Sequence, residues 1–134
     1  MTHQLSVQSS SREEFIDVTA EIEALLKNAS APTGSVICFV PHTTAGITIN
    51  ENADPDVRQD LLYKLKKEIP QADPNYRHAE GNSDAHLKAS MMGFSLQLLY
   101  ENRRLILGTW QAVYFCEFDG PRTRRFVVTV TRST

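Results

Sequence analysis

The chain has little that would mark a secreted, fibrous or membrane protein. It contains only two cysteines, six glycines and six prolines in 134 residues, which excludes a disulfide-rich scaffold and a collagen-like or linker-like composition. No apolar run approaches the roughly 20 residues that a membrane helix needs, and no basic segment followed by an apolar one marks a signal peptide. We therefore expect a soluble, cytoplasmic protein with no membrane partner.

An excess of charge of either sign is also lacking. The chain has 14 Lys and Arg against 16 Asp and Glu, for a net charge of −2, so no overall basic field would gather nucleic acid and we expect no such partner. Hydrophobic residues make up 41% and charged residues 22%, which is typical of a folded globular protein. The length fits a single domain, 1–134, that can bury a core.

The two cysteines, Cys38 and Cys116, both fall in apolar segments that resemble strands. We predict that they are buried free thiols. A disulfide would require an oxidising compartment, which the rest of the sequence does not indicate.

Hydrophobic periodicity predicts an α+β fold with mostly antiparallel sheet or sheets packed with two main helices. The helices are expected near 18–28 and 55–69, the first capped by Asp17 and the second by Asp54 before Pro55. A short third helix is expected in SDAHLKASMMG. The predicted strands are 3–10, 35–40, 46–50, 94–100, 104–110, 112–118 and 124–130.

The segment from His42 to Asp54 concentrates polar side chains at a strand-to-helix junction. The hydroxyl and backbone N–H groups at Thr43 could cradle an anion, or could simply satisfy the backbone of a turn. Glu51 or Asp54 could hold Mg²⁺, although Asp54 also has a structural role at the start of the helix. Glu51 and Asn52 have no evident structural role.

Three of the four histidines, His42, His78 and His86, lie at element boundaries or in the long polar loop 71–84. Neutral imidazole is a common metal ligand and an acid–base group near pH 7, and three of them could form an open catalytic metal site. Their spacing matches no short metal motif. The alternative is that each histidine is a separate capping or surface residue.

Other polar side chains stand at the ends of predicted elements. His86 and Lys88 share the short helix, whose N-terminus favours anions. Gly108 interrupts a predicted strand before an aromatic and an amide side chain, and arginines that can bind phosphate by a two-pronged contact flank the DGP turn. The alternatives are an aromatic side chain in the core and an ordinary charged hairpin.

Three long segments resemble the signature blocks of the YjbQ-like family. They are HTTAGITINENADPDVRQDL, HAEGNSDAHLKASMMGFSL and LGTWQAVYFCEFDGPRTRRFVV, and they occur in the family's order between Ser35 and Val130. The resemblance implies a small single-domain α+β protein that forms trimers and carries a secondary thiamine-phosphate synthase activity. One departure is Arg103, in a turn where the family tends to have Gly.

The resemblance also implies a set of site residues, and its polar signature further includes Glu80, Gly81 and Asp84. As catalytic residues it implies His42, His86, Glu51 and Asp54. As phosphate- or substrate-binding residues it implies Thr43, Asn50, Asn52, Lys88, Trp110, Gln111, Glu117, Arg122 and Arg124. As ligands of a divalent metal, Mg or Zn, it implies His42, His78 and His86.

We therefore expect an enzyme that joins a pyrimidine pyrophosphate to a thiazole phosphate with loss of pyrophosphate. The alternatives are a non-catalytic binder of a phosphorylated metabolite and a metal-dependent phosphate-ester hydrolase. The three histidines should converge on one cleft with at least one acid from Glu51, Asp54 and Glu80. Apolar surface left uncovered on strands 104–110 and 112–118 should support a homotrimer, whose neighbouring subunit could add a wall to the site.

Overall fold

Short apolar stretches separated by turns build eight strands and three helices in residues 1–133, the part of the chain that the computed structural model describes. Within it, no helix is long and apolar enough to cross a membrane. The elements are β1 (Thr2–Gln8), β2 (Glu14–Asp17), α1 (Thr19–Leu26), β3 (Gly34–Phe39), β4 (Ala45–Glu51), α2 (Pro55–Glu68), α3 (Ser83–Met92), β5 (Ser95–Glu101), β6 (Arg104–Leu105), β7 (Gln111–Glu117) and β8 (Thr123–Arg132).

The strands form two antiparallel sheets. One has five strands in the order β1-β8-β3-β5-β6, and the other has three in the order β2-β7-β4. Each pair of neighbouring strands is antiparallel. The α+β fold with mostly antiparallel sheets is therefore confirmed.

The main core lies between the two sheets. Fully buried side chains from both sheets meet there, among them Val36 of β3, Ile47 of β4 and Phe115 of β7. Helix α1 adds Ile22 and Leu26, neither of which is exposed. Each such side chain contributes about 1.5–3 kcal/mol through burial, so this layer holds the sheets together.

A second core covers the other face of the three-stranded sheet. Phe15, Tyr114 and Phe118 pack there against Ala85 and Ala89 of α3, and half-buried leucines of α2 complete it. Strand β7 is thus buried on both faces, and the expectation that 112–118 would leave apolar surface uncovered is wrong. The sheets and helices of one chain cover that strand completely.

Both cysteines lie in these cores as free thiols, as predicted. Burial raises the pKa of Cys38 to about 12, and burial raises the pKa of Cys116 as well. Neither thiol is therefore a reactive group at neutral pH.

The predicted strand 104–110 is wrong beyond Leu105. The side-chain oxygen of Gln111 accepts a hydrogen bond from the Gly108 N–H at 2.8 Å, and the Trp110 carbonyl accepts one from the Asn52 N–H at 3.0 Å. The backbone thus bonds to a side chain and to the β4–α2 connection instead of continuing in the sheet. The short strand β2, which pairs with β7, was not anticipated.

The two main helices begin close to the predicted positions. Asp54 accepts a hydrogen bond from the Asp56 N–H at 2.9 Å, with Pro55 at the first helical position, so the predicted cap of α2 is confirmed. Helix α1 is shorter than 18–28, and Val18 occupies its N-cap position. Asp17 still accepts a hydrogen bond from the Thr19 N–H at 3.0 Å.

Arg103 has a structural role that a glycine could not fill. Its φ is 61°, in the left-handed region that favours glycine. Its guanidinium donates to the carbonyl oxygens of Leu26 at 3.2 Å and Ala29 at 2.6 Å, so it holds the C-terminal end of α1 on the β5–β6 turn.

We expect Arg103→Ala to destabilise the protein by about 2 kcal/mol, because it loses these charged hydrogen bonds and keeps the strained φ. Arg103→Gly should cost about 1 kcal/mol less, because glycine relieves the strain. Urea unfolding of both variants measures the difference. Equal stability of the two would show that the backbone at this turn carries no strain.

Candidate functional site

An open cavity of about 860 Å³ lies at the end of the sandwich where β3 and β7 finish and β4 and β8 begin. It has both apolar walls and many polar groups. The residues that line it are Phe39, Val40, Pro41, His42, Thr43, Thr44, His78, Glu80, Asn82, His86, Phe94, Asp119, Arg122 and Arg124.

The antiparallel register of the strands brings these segments together. Ala45 at the start of β4 lies opposite Glu117 at the end of β7, so the β3–β4 connection and the β7–β8 turn meet at the same edge. Gly46 lets α3 approach β4 closely, since a Cβ there would lie 2.7 Å from the Gly93 carbonyl oxygen. That close contact places α3 and His86 beside the cavity.

The imidazoles of His42, His78 and His86 all line this cavity, together with Glu80. The His78 and His86 rings stand edge to face, with 5.5 Å between centroids. The His78 Nε2 lies 3.5 Å from a carboxylate oxygen of Glu80. Loop 71–82 and α3 therefore supply two imidazoles and an acid to one wall.

His42 lies in the β3–β4 connection and is fixed by the backbone of β8. Its Nε2 is 3.1 Å from both the N–H and the carbonyl oxygen of Arg125. Burial, and then the charge of Arg124, lowers the pKa of His42. The neutral ring can accept the Arg125 N–H at Nε2 only if its proton is on Nδ1.

The floor of the cavity contains a buried ion pair. The Arg124 Nε donates to Glu117 at 2.9 Å, and its Nη2 donates to the Thr44 hydroxyl at 2.8 Å. The Ser9 hydroxyl also donates to Glu117, at 2.8 Å. Glu117 thus serves the fold beneath the cavity and not a substrate directly, and the charge of Arg124 is already compensated within the protein.

The Glu117 carboxylate is ionised despite its burial. Burial alone would raise its pKa, but hydrogen bonds from Arg124, the Asp119 N–H and Ser9 together hold the pKa below its usual value. A buried pair of this kind is costly to break, because removing one partner leaves an uncompensated charge.

Lys88 also lies in the interior and not on the cavity. Its side chain is 1% exposed, and its Nζ donates to Glu13 at 2.7 Å and Asp84 at 2.9 Å. Asp84 in turn accepts two hydrogen bonds of 3.0 Å from Arg12. The expectation that Lys88 binds phosphate is therefore wrong for this chain, since two carboxylates already compensate its charge.

Six of the expected site residues lie at the opposite end of β4 and β7. Glu51 pairs with Gln111 in the register that also pairs Ala45 with Glu117, and six residues of strand span about 20 Å. The expected single cleft from His42 to Asp54 is therefore wrong within one chain, because a full strand separates its ends. The six residues are Asn50, Glu51, Asn52, Asp54, Trp110 and Gln111.

Local structure accounts for several of these distal groups. Asp54 caps α2, and the Tyr114 hydroxyl donates to the Glu51 carbonyl at 3.0 Å. Asn52 Nδ2 lies 3.4 Å from an Asp17 carboxylate oxygen. The Trp110 side chain is 62% exposed, so it belongs neither to the core nor to the cavity.

Two residues of the cavity, Asn82 and Asp119, were not anticipated. The Asn82 Nδ2 donates to Asp119 at 2.9 Å, and Arg122 donates to the side chain and to the carbonyl oxygen of Asp119 at 3.2 and 3.0 Å. Asp119 thus orients the Arg122 guanidinium at the rim. In the sequence both residues look like ordinary turn and loop residues, so only their pairing in space identifies them.

The expected metal groups are not assembled in one chain. Among residues 1–133, no three His, Cys, Asp or Glu side chains lie close enough together to hold a metal ion. The His42 Nε2 already bonds to the β8 backbone, and Glu51 and Asp54 lie at the other end of β4. Within the described part of one chain, these side chains therefore do not form a Zn or Mg site, and we assign no chemistry to a metal.

The fold and the cavity define a class of small α+β proteins. Two antiparallel sheets pack with helices, and a cavity lined by histidines lies at one end. The chain belongs to the YjbQ-like UPF0047 family, whose model matches residues 3–133.

Sequence and structural relatives agree with this assignment. The UPF0047 protein YugU of Bacillus subtilis is 52% identical over 92% of this chain and 94% of its own. The UPF0047 protein MJ1081 of Methanocaldococcus jannaschii is 44% identical over 97% and 94%. The crystal structure of a YjbQ/UPF0047 protein from Clostridium acetobutylicum superposes with a TM-score of 0.93 at 49% identity, covering 96% of this chain and 99% of that one.

The ionised Glu117 predicts acid sensitivity. Its pKa is lower in the folded protein than in the unfolded chain, where it is about 4.3. Its contribution to stability is therefore fully present above that value and is lost as the pH falls through the folded pKa. Carbon NMR titration should show the Glu117 carboxylate protonating below the ordinary value for Glu, about 4.3.

Glu117→Gln should lower stability by about 3–5 kcal/mol at pH 7 through the uncompensated Arg124. The exposed control Glu101→Gln should change little. Should the wild-type Glu117 carboxylate protonate at or above the ordinary value for Glu, about 4.3, the proposed compensation by Arg124 would be refuted.

Proposed function

We propose that the protein is an enzyme that acts on a small phosphorylated substrate. The observation that carries this proposal is the convergence of three imidazoles and the Arg122 guanidinium on one cavity. Arg122 is about half exposed, and Asp119 holds its Nε and Nη2, so the remaining N–H donors are free to contact a phosphate oxygen. Arg124 also lines the cavity but is buried and bonded to Glu117, and Lys88 is buried away from it.

The histidines can both bind an anion and move a proton. A ring N–H of His78 or His86 can donate a hydrogen bond to a bound phosphate, and imidazole is a common acid–base group in enzymes. Glu80 adjoins His78 and can accept or return its proton. His42 is held neutral and can donate a hydrogen bond from Nδ1. A simple anion binder has no need for such a mixture of acids and bases.

The reaction we propose is thiamine-phosphate synthesis, which the family resemblance implies. The bond between the pyrimidine methylene carbon and the pyrophosphate oxygen breaks, and the electron pair leaves with pyrophosphate. A new bond forms from the thiazole nitrogen to that carbon. Arg122 and the N–H groups of the imidazoles would stabilise the leaving pyrophosphate, while Glu80 and Asp119 would stabilise positive charge on the pyrimidine.

We also propose that the protein is a homotrimer. The outer face of the five-stranded sheet exposes Ile37, Phe39 and Leu99 at 44, 48 and 59%, and such a patch favours association. Phe39 also lines the cavity, so a subunit packed on this face would adjoin the site. The number three comes from the family resemblance.

Replacing His86 by Ala should weaken the binding of inorganic pyrophosphate at least tenfold, because a charged hydrogen bond is lost. Titration calorimetry at pH 6.5 measures the affinity, and thermal unfolding should change little because the ring lines a cavity. His3→Ala, on β1, is the matched control. If His86→Ala unfolds the protein while the fraction that remains folded binds pyrophosphate as tightly as the wild type, His86 is a structural residue.

A turnover assay separates the candidate functions. The enzyme should form thiamine phosphate and release pyrophosphate only when the pyrimidine pyrophosphate and the thiazole phosphate are both present. Saturable binding without product would indicate a binder. Release of phosphate from either compound alone would indicate a phosphate-ester hydrolase. Either result would refute the proposed synthase.

The trimer predicts a solution mass three times the 15.1 kDa of the chain by light scattering at micromolar concentration. Leu99→Asp should lower that mass by placing a charge in the apolar face, whereas Lys66→Asp on the exposed side of α2 should not. A monomeric wild-type protein would contradict the proposal.

A further inference from the structure

A second cavity, of about 470 Å³, lies behind the His78–His86 pair, between the loop segment 75–78 and the start of α3. The two imidazoles line both this cavity and the larger one. The two cavities therefore adjoin at these side chains, and a single ligand can contact both.

We propose that this second cavity is a subsite for the aromatic ring of a phosphorylated ligand whose phosphate lies at Arg122. The proposal rests on the proposed function, because that function places the phosphate in the larger cavity. It assigns the aromatic part of the ligand to loop 71–82 and α3, and not to Trp110 at the far end of the sheet.

The walls of the subsite are suited to a flat ring. Tyr76 joins the two imidazoles there, and Leu87 supplies an apolar wall. Rings prefer edge-to-face or offset contacts at 4.5–7 Å between centroids, and the His78–His86 pair already has this geometry at 5.5 Å. A cavity of roughly 150 Å³ can hold benzene, so the available space is sufficient.

The subsite is held in shape by its own hydrogen bonds. The Tyr76 hydroxyl donates to the Pro70 carbonyl at 3.2 Å, and Gln71 Nε2 donates to the Gly81 carbonyl at 3.1 Å. The second bond ties together the two ends of the loop. A preformed wall reduces the ordering cost of binding.

Charge also favours an anionic ligand over other occupants. Within the described residues, the side chains that line the subsite include no carboxylate, and its basic groups are Arg77 and the two imidazoles. An aromatic cation would meet only positive or neutral groups there. An aromatic phosphate would place its ring against Tyr76 and Leu87 and its charge toward the arginine and histidines.

The test compares inorganic phosphate, methyl phosphate and phenyl phosphate by titration calorimetry. Phenyl phosphate should bind about tenfold more tightly than methyl phosphate, because the ring is buried in the subsite. Leu87→Gln should remove most of that difference and leave the affinity for inorganic phosphate unchanged. Leu87 is 47% exposed, so the variant should fold.

Met91→Gln is the matched control, one helical turn further along α3 and 65% exposed. It should leave all three affinities unchanged. In NMR spectra of the wild type, phenyl phosphate but not methyl phosphate should shift the ring resonances of Tyr76.

The outcomes distinguish a failure of the proposed subsite from a failure of the proposed function. If inorganic phosphate does not bind, the proposed phosphate site fails, and the subsite that depends on it fails too. If phosphate and methyl phosphate bind but phenyl phosphate gains nothing, or the gain survives Leu87→Gln, the subsite is refuted and the proposed function stands. A Leu87→Gln variant that changes only the solution mass would make this surface a subunit contact and would also refute the subsite.

Discussion

The buried ion pair between Glu117 and Arg124 is the interaction on which the site depends most. Glu117 ends a strand of the small sheet, Arg124 lies near the start of a strand of the large sheet, and Thr44 and Ser9 bond to the pair from two further segments. The pair therefore fixes the edge where the two sheets meet. Because the charges are buried, they contribute fully only when every partner is in place, which favours one arrangement of the cavity floor.

Ion pairs within the protein determine which basic side chains remain available to a ligand in the cavity. Arg124 and Lys88 are basic and lie close in the sequence to residues of the cavity. Buried carboxylates nevertheless bind both side chains. Arg122 is oriented by Asp119 at the rim and keeps free donors, and the imidazoles of His78 and His86 are accessible. A phosphate entering the cavity would therefore meet side chains whose hydrogen-bond donors are still accessible, whereas those of Arg124 and Lys88 are bonded to buried carboxylates.

The sequence was sufficient to predict most of the fold, because strand alternation, the Asp54–Pro55 helix start and the buried cysteines all depend on local patterns. It also indicated the three histidines. The sequence did not predict which site residues come together, because that depends on how the strands pair. His42 and Glu51 are nine residues apart but lie at opposite ends of one strand. Lys88 was misassigned for a similar reason, because its partner Glu13 lies 75 residues away along the chain.

Helix α3 shows how so short an element can serve both the fold and the site. Residues four apart share a helix face, and Asp84 and Lys88 form an ion pair in the interior while Ala85 and Ala89 pack on the small sheet. Relative to Ala85, His86 and Leu87 lie about 100° and 200° further around the helix. These two side chains face the two cavities. The buried contacts on one side of α3 thus fix the direction in which His86 and Leu87 point on the other side. Gly46 supports this arrangement, since any larger residue would push α3 away from β4 and displace His86 with it.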